Sequence, residues 1–375
     1  MAVDYNALRL KYHGDPLMLD QILQMECREK CSRKLSSTLA NPNFKFPSVA
    51  LAEMCTSDEV AEIHASMVPR GCKILDMTAG LGIDVFHFAS HGCSVTAIEL
   101  DSHAADILME NVKTVGVADR VEVVCADSIS WLSDNDRNFD VIFIDPARRD
   151  SSGRHFAFSQ CQPDITVSIG LLVSRCDTLI IKASPMIDIG AALRELGYET
   201  ADVTVIGTVK ECKEVVIKIG RNTSDSLTCI TIGRPDYRID SKTEPVIVTS
   251  TPVEGQWLGQ PFPSVMKAGG KVSGYKKLHS NTHLYLADVP DHEFPGQQYM
   301  IKDVIPFNKK ELRRFADKYP EINVAVRNFP LSAPELVSRL KVREGGRLKV
   351  FGVTLHDGSK VLIVTDMTTA DAQIF

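Results

Sequence analysis

The chain has 375 residues, 44% of them apolar and 24% charged, and a net charge of −6, the make-up of an ordinary globular protein, which excludes a disordered chain or a coiled coil. The length exceeds what one hydrophobic core usually holds, so two domains are expected, with room for a small third. Asp4, Arg9, Lys11, His13, Asp15 and Asp20 leave no apolar core for a secretory signal, and no uncharged apolar window reaches the ~18 residues of a membrane span, so a cytoplasmic location is expected.

In chain order, the segment up to about Arg70 is helical in pattern, with apolar residues at near-helical spacing from Pro16 to Met25 and a stop at Asn41-Pro42-Asn43 and Phe46-Pro47. Cys27 and Cys31 fall on one helical face as buried thiols. All ten cysteines lie between Cys27 and Cys229, a distribution unlike a disulfide framework, and they are read as reduced. Thr56-Ser57-Asp58-Glu59 has the form of a capping box, with Thr56 at the N-cap of a helix through Val60, Ile63 and Met67.

From Lys73 strands and helices alternate. Strands are expected to Met77, over Ser94–Glu99, Val121–Cys125, Val141–Asp145 and Thr178–Lys182, with helices to His91, over Ser102–Val115, near Asp164–Val173 and over Ile187–Leu196. Val203–Val209 and Val215–Ile219 can pair as a hairpin. Beyond a turn-rich stretch from Gly220 to Gly255, strands are expected near Leu284, Ala325, Val350 and Leu362, and helices over Lys309–Tyr319 and Ala333–Leu340. The expected layout is a helical segment at 1–72, an open α/β domain at 73–245 and a smaller α+β domain at 246–375, with two helices on a small antiparallel sheet.

Four of the strands end in a carboxylate: Asp76, Glu99, Asp127 and Asp145. In an open α/β sheet the ligand crevice lies beyond the carboxyl ends of the strands, so four such acids would converge on one site. Gly80 and Gly82 let the turn after the first strand approach a ligand closely. Glu99, 17 residues beyond Gly82, is placed for a ribose diol, and Asp127 for an adenine amino group. The third glycine of a dinucleotide turn is missing, since Val85 stands there. Asp76 before the turn would repel a pyrophosphate and suits a cationic amino-acid end. The set favours S-adenosylmethionine over a dinucleotide.

Asp76-x-Thr78-Ala79-Gly80-x-Gly82-x-Asp84, Glu99, Asp127 and Asp145-Pro146 resemble the motif series of class I S-adenosylmethionine-dependent methyltransferases, and the Thr78–Gly82 turn is similar to that of bacterial ribosomal RNA guanine-N2 methyltransferases. Ile144–Asp150, Lys182–Met186, Leu278–Tyr285 and Arg327–Ser332 resemble a bacterial family that joins this domain to a C-terminal THUMP-like domain. The resemblance implies a Rossmann-like domain with a THUMP-like, ferredoxin-like partner, S-adenosylmethionine held by Asp76, Thr78, Gly80, Gly82, Glu99 and Asp127, and a structured RNA substrate, ribosomal or transfer.

Methyl transfer from a sulfonium is an in-line displacement, so the protein must chiefly hold the acceptor against the methyl. Asp145 and the carbonyl of Pro146 suit an exocyclic amine, with guanine N2 one such acceptor, and no metal is required. The aromatic residue that base N-methyltransferases usually carry two places after that proline is missing. Ala147 and Arg148 stand there instead, so Arg148 is the expected helper, with Phe156 or Phe158 able to supply a ring and Arg148-Arg149 equally able to pair with Asp150 at the surface. Ala183-Ser184-Pro185 has no cysteine for carbon-5 chemistry, while Lys182 and Ser184 are expected on the substrate side. Residues 253–375 carry 17 Lys and Arg against 13 Asp and Glu, and Lys309-Lys310-Glu311-Leu312-Arg313-Arg314 is a candidate phosphate-facing helix. His279 and His283 have no third metal ligand near them in sequence. A small-molecule or protein methyltransferase, and a cofactor-binding scaffold without catalysis, remain open alternatives.

Overall fold

A computed structural model describes residues 3–148, 157–221, 223–240, 244 and 246–367. The chain divides into two compact units, Met1–Val203 with Val215–Asp225, and Thr204–Glu214 with Ser226–Phe375. Among the described residues no helix is long and apolar enough to cross a membrane.

The first unit opens with four helices, α1 (Tyr5–Lys11), α2 (Pro16–Cys31), α3 (Val49–Met54) and α4 (Asp58–Ser66). Pro16 at the first turn of α2 and the Asp15 side chain accepting the Met18 N–H start that helix. Cys27 and Cys31 lie buried on its inner face. The segment is fastened to the rest of the unit by side chains that close on backbone groups. Asn111 accepts the Lys45 N–H at 2.9 Å and donates to the Lys45 carbonyl at 2.8 Å, and the Asn41 side chain donates to the Thr114 carbonyl at 2.8 Å.

The alternating part follows as β1 (Lys73–Asp76), α5 (Ile83–Ser90), β2 (Ser94–Glu99), α6 (Ser102–Val115), β3 (Val121–Cys125), α7 (Ser128–Ser133), β4 (Phe139–Ile144), α8 (Ile165–Ser174), β5 (Cys176–Ala183), α9 (Ile189–Glu195), β6 (Asp202–Gly207) and β7 (Cys212–Gly220). Across the sheet the order runs β7-β5-β4-β1-β2-β3, all parallel except β7 against β5. Helices on both faces explain why Ile74 and Leu75 of β1 and Ile142 and Ile144 of β4 are fully buried, as the near-continuous apolar runs predict. The strand order reverses at β1, with β2 and β3 added on one side and β4 on the other, and the crevice at such a switch point is where ligands sit.

In the second unit, β8 (Leu227–Thr231) pairs antiparallel with β9 (Tyr237–Ile239). Then come β10 (Val246–Ile247), β11 (Trp257–Pro261), α10 (Pro263–Lys267), β12 (Lys276–His279), β13 (Thr282–Ala287), β14 (Gly296–Pro306), α11 (Lys309–Lys318), β15 (Asn323–Arg327), α12 (Ala333–Leu340), β16 (Leu348–Thr354) and β17 (Lys360–Asp366). Here the sheet departs from the small antiparallel one expected. It has eight strands, β10-β12-β13-β11-β14-β17-β16-β15, and is mixed. α12 crosses over between β15 and β16 and so makes them parallel, a consequence of connection geometry that the apolar pattern of either strand does not carry. One face packs against α11 and α12 through Phe315, Leu336, Leu340, Val350, Leu362 and Val364. The other face holds a second core around Leu258, Tyr299, Ile301, Phe351, Val353 and Ile363.

Candidate active site

Four carboxylates stand at or just past the carboxyl ends of the neighbouring strands β3, β2, β1 and β4. Backbone bonds knit these ends together. Met77 N–H donates to the Phe143 carbonyl at 3.0 Å, Ala79 N–H to Ile98 at 2.9 Å and Ala126 N–H to Glu99 at 3.1 Å. Thr78 Oγ1 accepts the Asp145 N–H at 2.8 Å, tying the turn after β1 to the end of β4.

Gly80 and Gly82 both have positive φ, 53° and 87°, the left-handed region that favours glycine. Gly82 is the N-cap of α5, and a Cβ there would lie 2.3 Å from Leu108 Cδ1 and 2.8 Å from Phe86 Cζ. Gly80 meets nothing closer than 3.8 Å, so its turn stays open toward the crevice. The Gly80 N–H donates to Glu99 Oε2 and the Asp101 N–H to Glu99 Oε1, each at 2.9 Å. These two bonds aim the Glu99 carboxylate back at the turn, and each oxygen keeps acceptor capacity that a ribose diol can use. Asp127 caps α7 by accepting the Ser130 N–H on Oδ1 at 2.8 Å.

Asp76 tests whether a cation fits. It is 2% exposed, and among the described residues its hydrogen bond is the one from the Thr78 N–H, at 3.0 Å. Burial, joined by the charges of Asp84 and Asp145 and opposed by that N–H, pushes its carboxyl from 3.8 up to about 8. A buried carboxylate with so little compensation, beside two others, suits the cationic amino-acid end of S-adenosylmethionine, and the open glycine turn suits close approach.

Past β4 the structure assembles a group that the strand-end acids alone did not indicate. Lys182 Nζ, near the end of β5, donates to Asp145 Oδ2 at 2.6 Å and to Thr56 Oγ1 at 2.9 Å. Thr56 in turn donates to Asp84 Oδ2 at 2.7 Å, and Asp84 Oδ1 lies 2.7 Å from His64 Nδ1. Burial alone would raise the Asp84 carboxyl, but His64, Lys182 and the Thr56 hydroxyl hold it well below the usual carboxylate range. Lys182 and His64 are buried, while the Asp145 carboxylate is 41% exposed at the open end of the chain of contacts. Buried charges are tolerated here because each finds a charged or hydroxyl partner.

Three expectations need correction. Thr56 is not the cap of α4. Ser57 is, accepting the Val60 N–H at 3.4 Å, and the Thr56 hydroxyl instead bridges Asp84 and Lys182, since two adjacent hydroxyl residues compete for one cap and the buried charges take the other. Phe158 is 2% exposed, so its ring packs in the interior and is not offered to a base. The second-unit sheet is mixed, as described above. Arg148 lies on a two-residue strand, and its side chain falls outside the described residues, as do Arg149, Asp150 and Phe156. Of the other residues, Asp84 stood inside the recognised turn without a role, Lys182 was expected at the crevice, and His64 gave no signal. Among the described residues no group of three His, Cys, Asp or Glu could hold a metal ion.

Strand order, glycine turn and the row of carboxylates define a class I S-adenosylmethionine-dependent methyltransferase fold. Residues 56–152 match the family model described as "Putative SAM-dependent methyltransferase", and residues 296–367 match "THUMP domain-like". The first of these matches lies in the first unit and the second in the second unit. Its structure is similar to that titled "Crystal structure of putative methyltransferase from Porphyromonas gingivalis W83", with a TM-score of 0.82 and 25% identity over 95% of this chain and 90% of that one. In sequence it is similar to "Ribosomal RNA small subunit methyltransferase J" of Laribacter hongkongensis, 37% identical over 82 residues, covering 20% of this chain and 29% of that protein. The protein of the same name from Francisella tularensis subsp. novicida is 31% identical over 80 residues, covering 20% and 33%. The chain thus spans about a third or less of the length of the curated relatives it matches.

Proposed function

We propose that the protein transfers the methyl group of S-adenosylmethionine to a base nitrogen of structured RNA, ribosomal or transfer, with an exocyclic amine such as guanine N2 as acceptor. In this reading Asp76, Thr78, Gly80, Gly82, Glu99 and Asp127 hold the cofactor, which supplies an electrophilic methyl when bound. Residues 1–72 supply Thr56 and His64 behind the site, 73–245 form the catalytic domain, and 246–375 serve RNA binding.

The observation that carries the reading is the placement of Asp145. Its backbone is pinned by Thr78 and its carboxylate by Lys182, yet the carboxylate remains partly exposed at the switch point of the sheet. A fixed, ion-paired carboxylate accepts hydrogen bonds and cannot donate them, so it selects an acceptor that presents N–H groups and turns the nitrogen lone pair toward the methyl. Pro146 beside it is buried, and its ring fixes φ there. Arg148 completes the proposed set as a planar cation for a base or phosphate. The names of the relatives support a ribosomal substrate.

The test is transfer of labelled methyl to total RNA from cells lacking this protein, followed by nucleoside analysis. One labelled nucleoside with the wild type, absent with Asp145→Ala, is expected and would name the base. Cofactor binding without transfer to any RNA would overturn the RNA reading.

A further inference from the structure

Two of the conspicuous segments, Leu278–Tyr285 and Arg327–Ser332, do not touch the chemistry above; both fall in the second unit. There the Asn328 side chain donates to His279 Nδ1 at 3.2 Å and to Thr282 Oγ1 at 3.3 Å, and the Thr354 hydroxyl donates to the Asn328 carbonyl. Asn328 takes a left-handed backbone, φ 51°, directly after Arg327 at the end of β15. The polar knot fixes where the chain leaves the strand, and so where Arg327 stands.

Alternation along β15 and β16 decides which way Arg327 and Lys349 face. Val324, Val326, Leu348 and Val350 pack under α11 and α12, whereas Ala325, Phe351 and Val353 belong to the opposite core. Arg327 and Lys349 therefore share the face away from the helices. Lys349 Nζ lies 4.7 Å from the Phe351 ring centre and 5.2 Å from that of Tyr299, and donates to Gln260 Oε1 at 3.2 Å. The Tyr299 hydroxyl donates to Gln297 Oε1 at 2.7 Å. Arg327 donates to the neighbouring Val326 carbonyl at 2.8 Å. Among the described residues neither cation forms an ion pair with a carboxylate. Burial and the charge of Arg327 push the Lys349 ammonium down to about 8, and burial pushes Arg327 down as well. Ring faces and amide oxygens offset part of the cost of these two half-buried cations, and an anion between them would offset their mutual repulsion.

We propose that Arg327 and Lys349, with Gln260, Gln297 and Tyr299, form a phosphate-binding site on the helix-free face of the second unit's sheet, which takes a backbone phosphodiester of the RNA. The choice of RNA as the source rests on the function proposed above; the anion site itself does not. The basic face of α11 lies on the other side of the sheet, so this site is separate from it. Arginine supplies a planar fork for two phosphate oxygens and lysine a point charge.

The test uses the full-length chain and the variants R327Q, K349Q and the pair. Inorganic phosphate should raise the melting temperature of the wild type by a few degrees, as a ligand of the native state must, and the rise should vanish in the double variant. Without phosphate the variants should melt within a few degrees of the wild type, because each removes a half-buried cation that has no carboxylate partner along with the weaker ring and amide contacts it makes. A labelled structured RNA should bind the double variant about tenfold or more weakly, with the slope of log affinity against log salt smaller by about 0.7–0.9, the share of one phosphate. An unchanged phosphate response in the double variant, RNA binding as tight as in the wild type, or melting several degrees lower without phosphate would each overturn the proposal. A phosphate response in a wild type that binds no RNA would uphold the anion site, assign it to a small phosphate ligand and remove the RNA reading.

Discussion

At the scale of single residues, the proposed function assigns three side chains separate tasks at the crevice. Asp145→Ala should abolish methyl transfer while changing cofactor affinity less than about threefold, because the bond to Thr78 in the glycine turn comes from the Asp145 backbone N–H, which alanine keeps; a radiolabel transfer assay beside calorimetry separates the two. Lys182→Met should reduce transfer strongly and destabilise the fold by about 1–2 kcal/mol, less than a fully buried pair would cost because Asp145 can still reach water. Urea unfolding measures this, and a drop above about 4 kcal/mol would make Lys182 chiefly a structural residue. For Asp76 the sign follows from its raised carboxyl. The folded state favours its protonated form, so that contribution to stability is complete below about pH 4 and is lost progressively up to about pH 8. A cation bound beside Asp76 restores its charge by displacing the proton, so cofactor affinity should rise nearly tenfold per pH unit between about pH 6 and 7.5. Asp76→Asn should flatten that profile, and an unaltered slope in Asp76→Asn would place the cation elsewhere.

At the scale of elements, the turn between β1 and α5 separates two kinds of glycine. Gly82→Ala meets both a positive φ and side chains from α5 and α6, and should cost about 2–4 kcal/mol in denaturant unfolding. Gly80→Ala meets only the backbone term, about 1 kcal/mol, but fills space at the mouth of the crevice and should weaken cofactor binding more than stability. Equal effects from the two would show that the turn tolerates a Cβ at either end. Most elements of the first unit were legible from periodicity. β2, α6 and β3 run over the residues expected, since the apolar runs are long and bounded by caps such as Asp101 and Gly116. The α4 cap was not, because Thr56 and Ser57 are chemically equivalent in sequence, and only a buried Lys182 from 126 residues away distinguishes them.

At the scale of the whole molecule, a chain with net charge −6 gains little from non-specific attraction to a polyanion, so RNA binding should rest on a few placed cations. Its affinity should fall with salt with a shallow slope, about 0.7–0.9 for each phosphate contacted, and a slope near that of a strongly basic protein would contradict this picture. The order of four strand-end carboxylates and the glycine turn are local features, each written in a run of a few residues, and sequence by itself determined them, with the class I fold and its crevice. What the tertiary structure alone decided were the contacts between distant segments. The relay from His64 through Asp84 and Thr56 to Lys182 and Asp145 draws on four separate stretches of chain. The parallel pairing of β15 with β16 and the shared face of Arg327 and Lys349 depend in the same way on crossover and register. Periodicity reports which residues are buried, whereas the partner of each buried charge is set by how the elements pack.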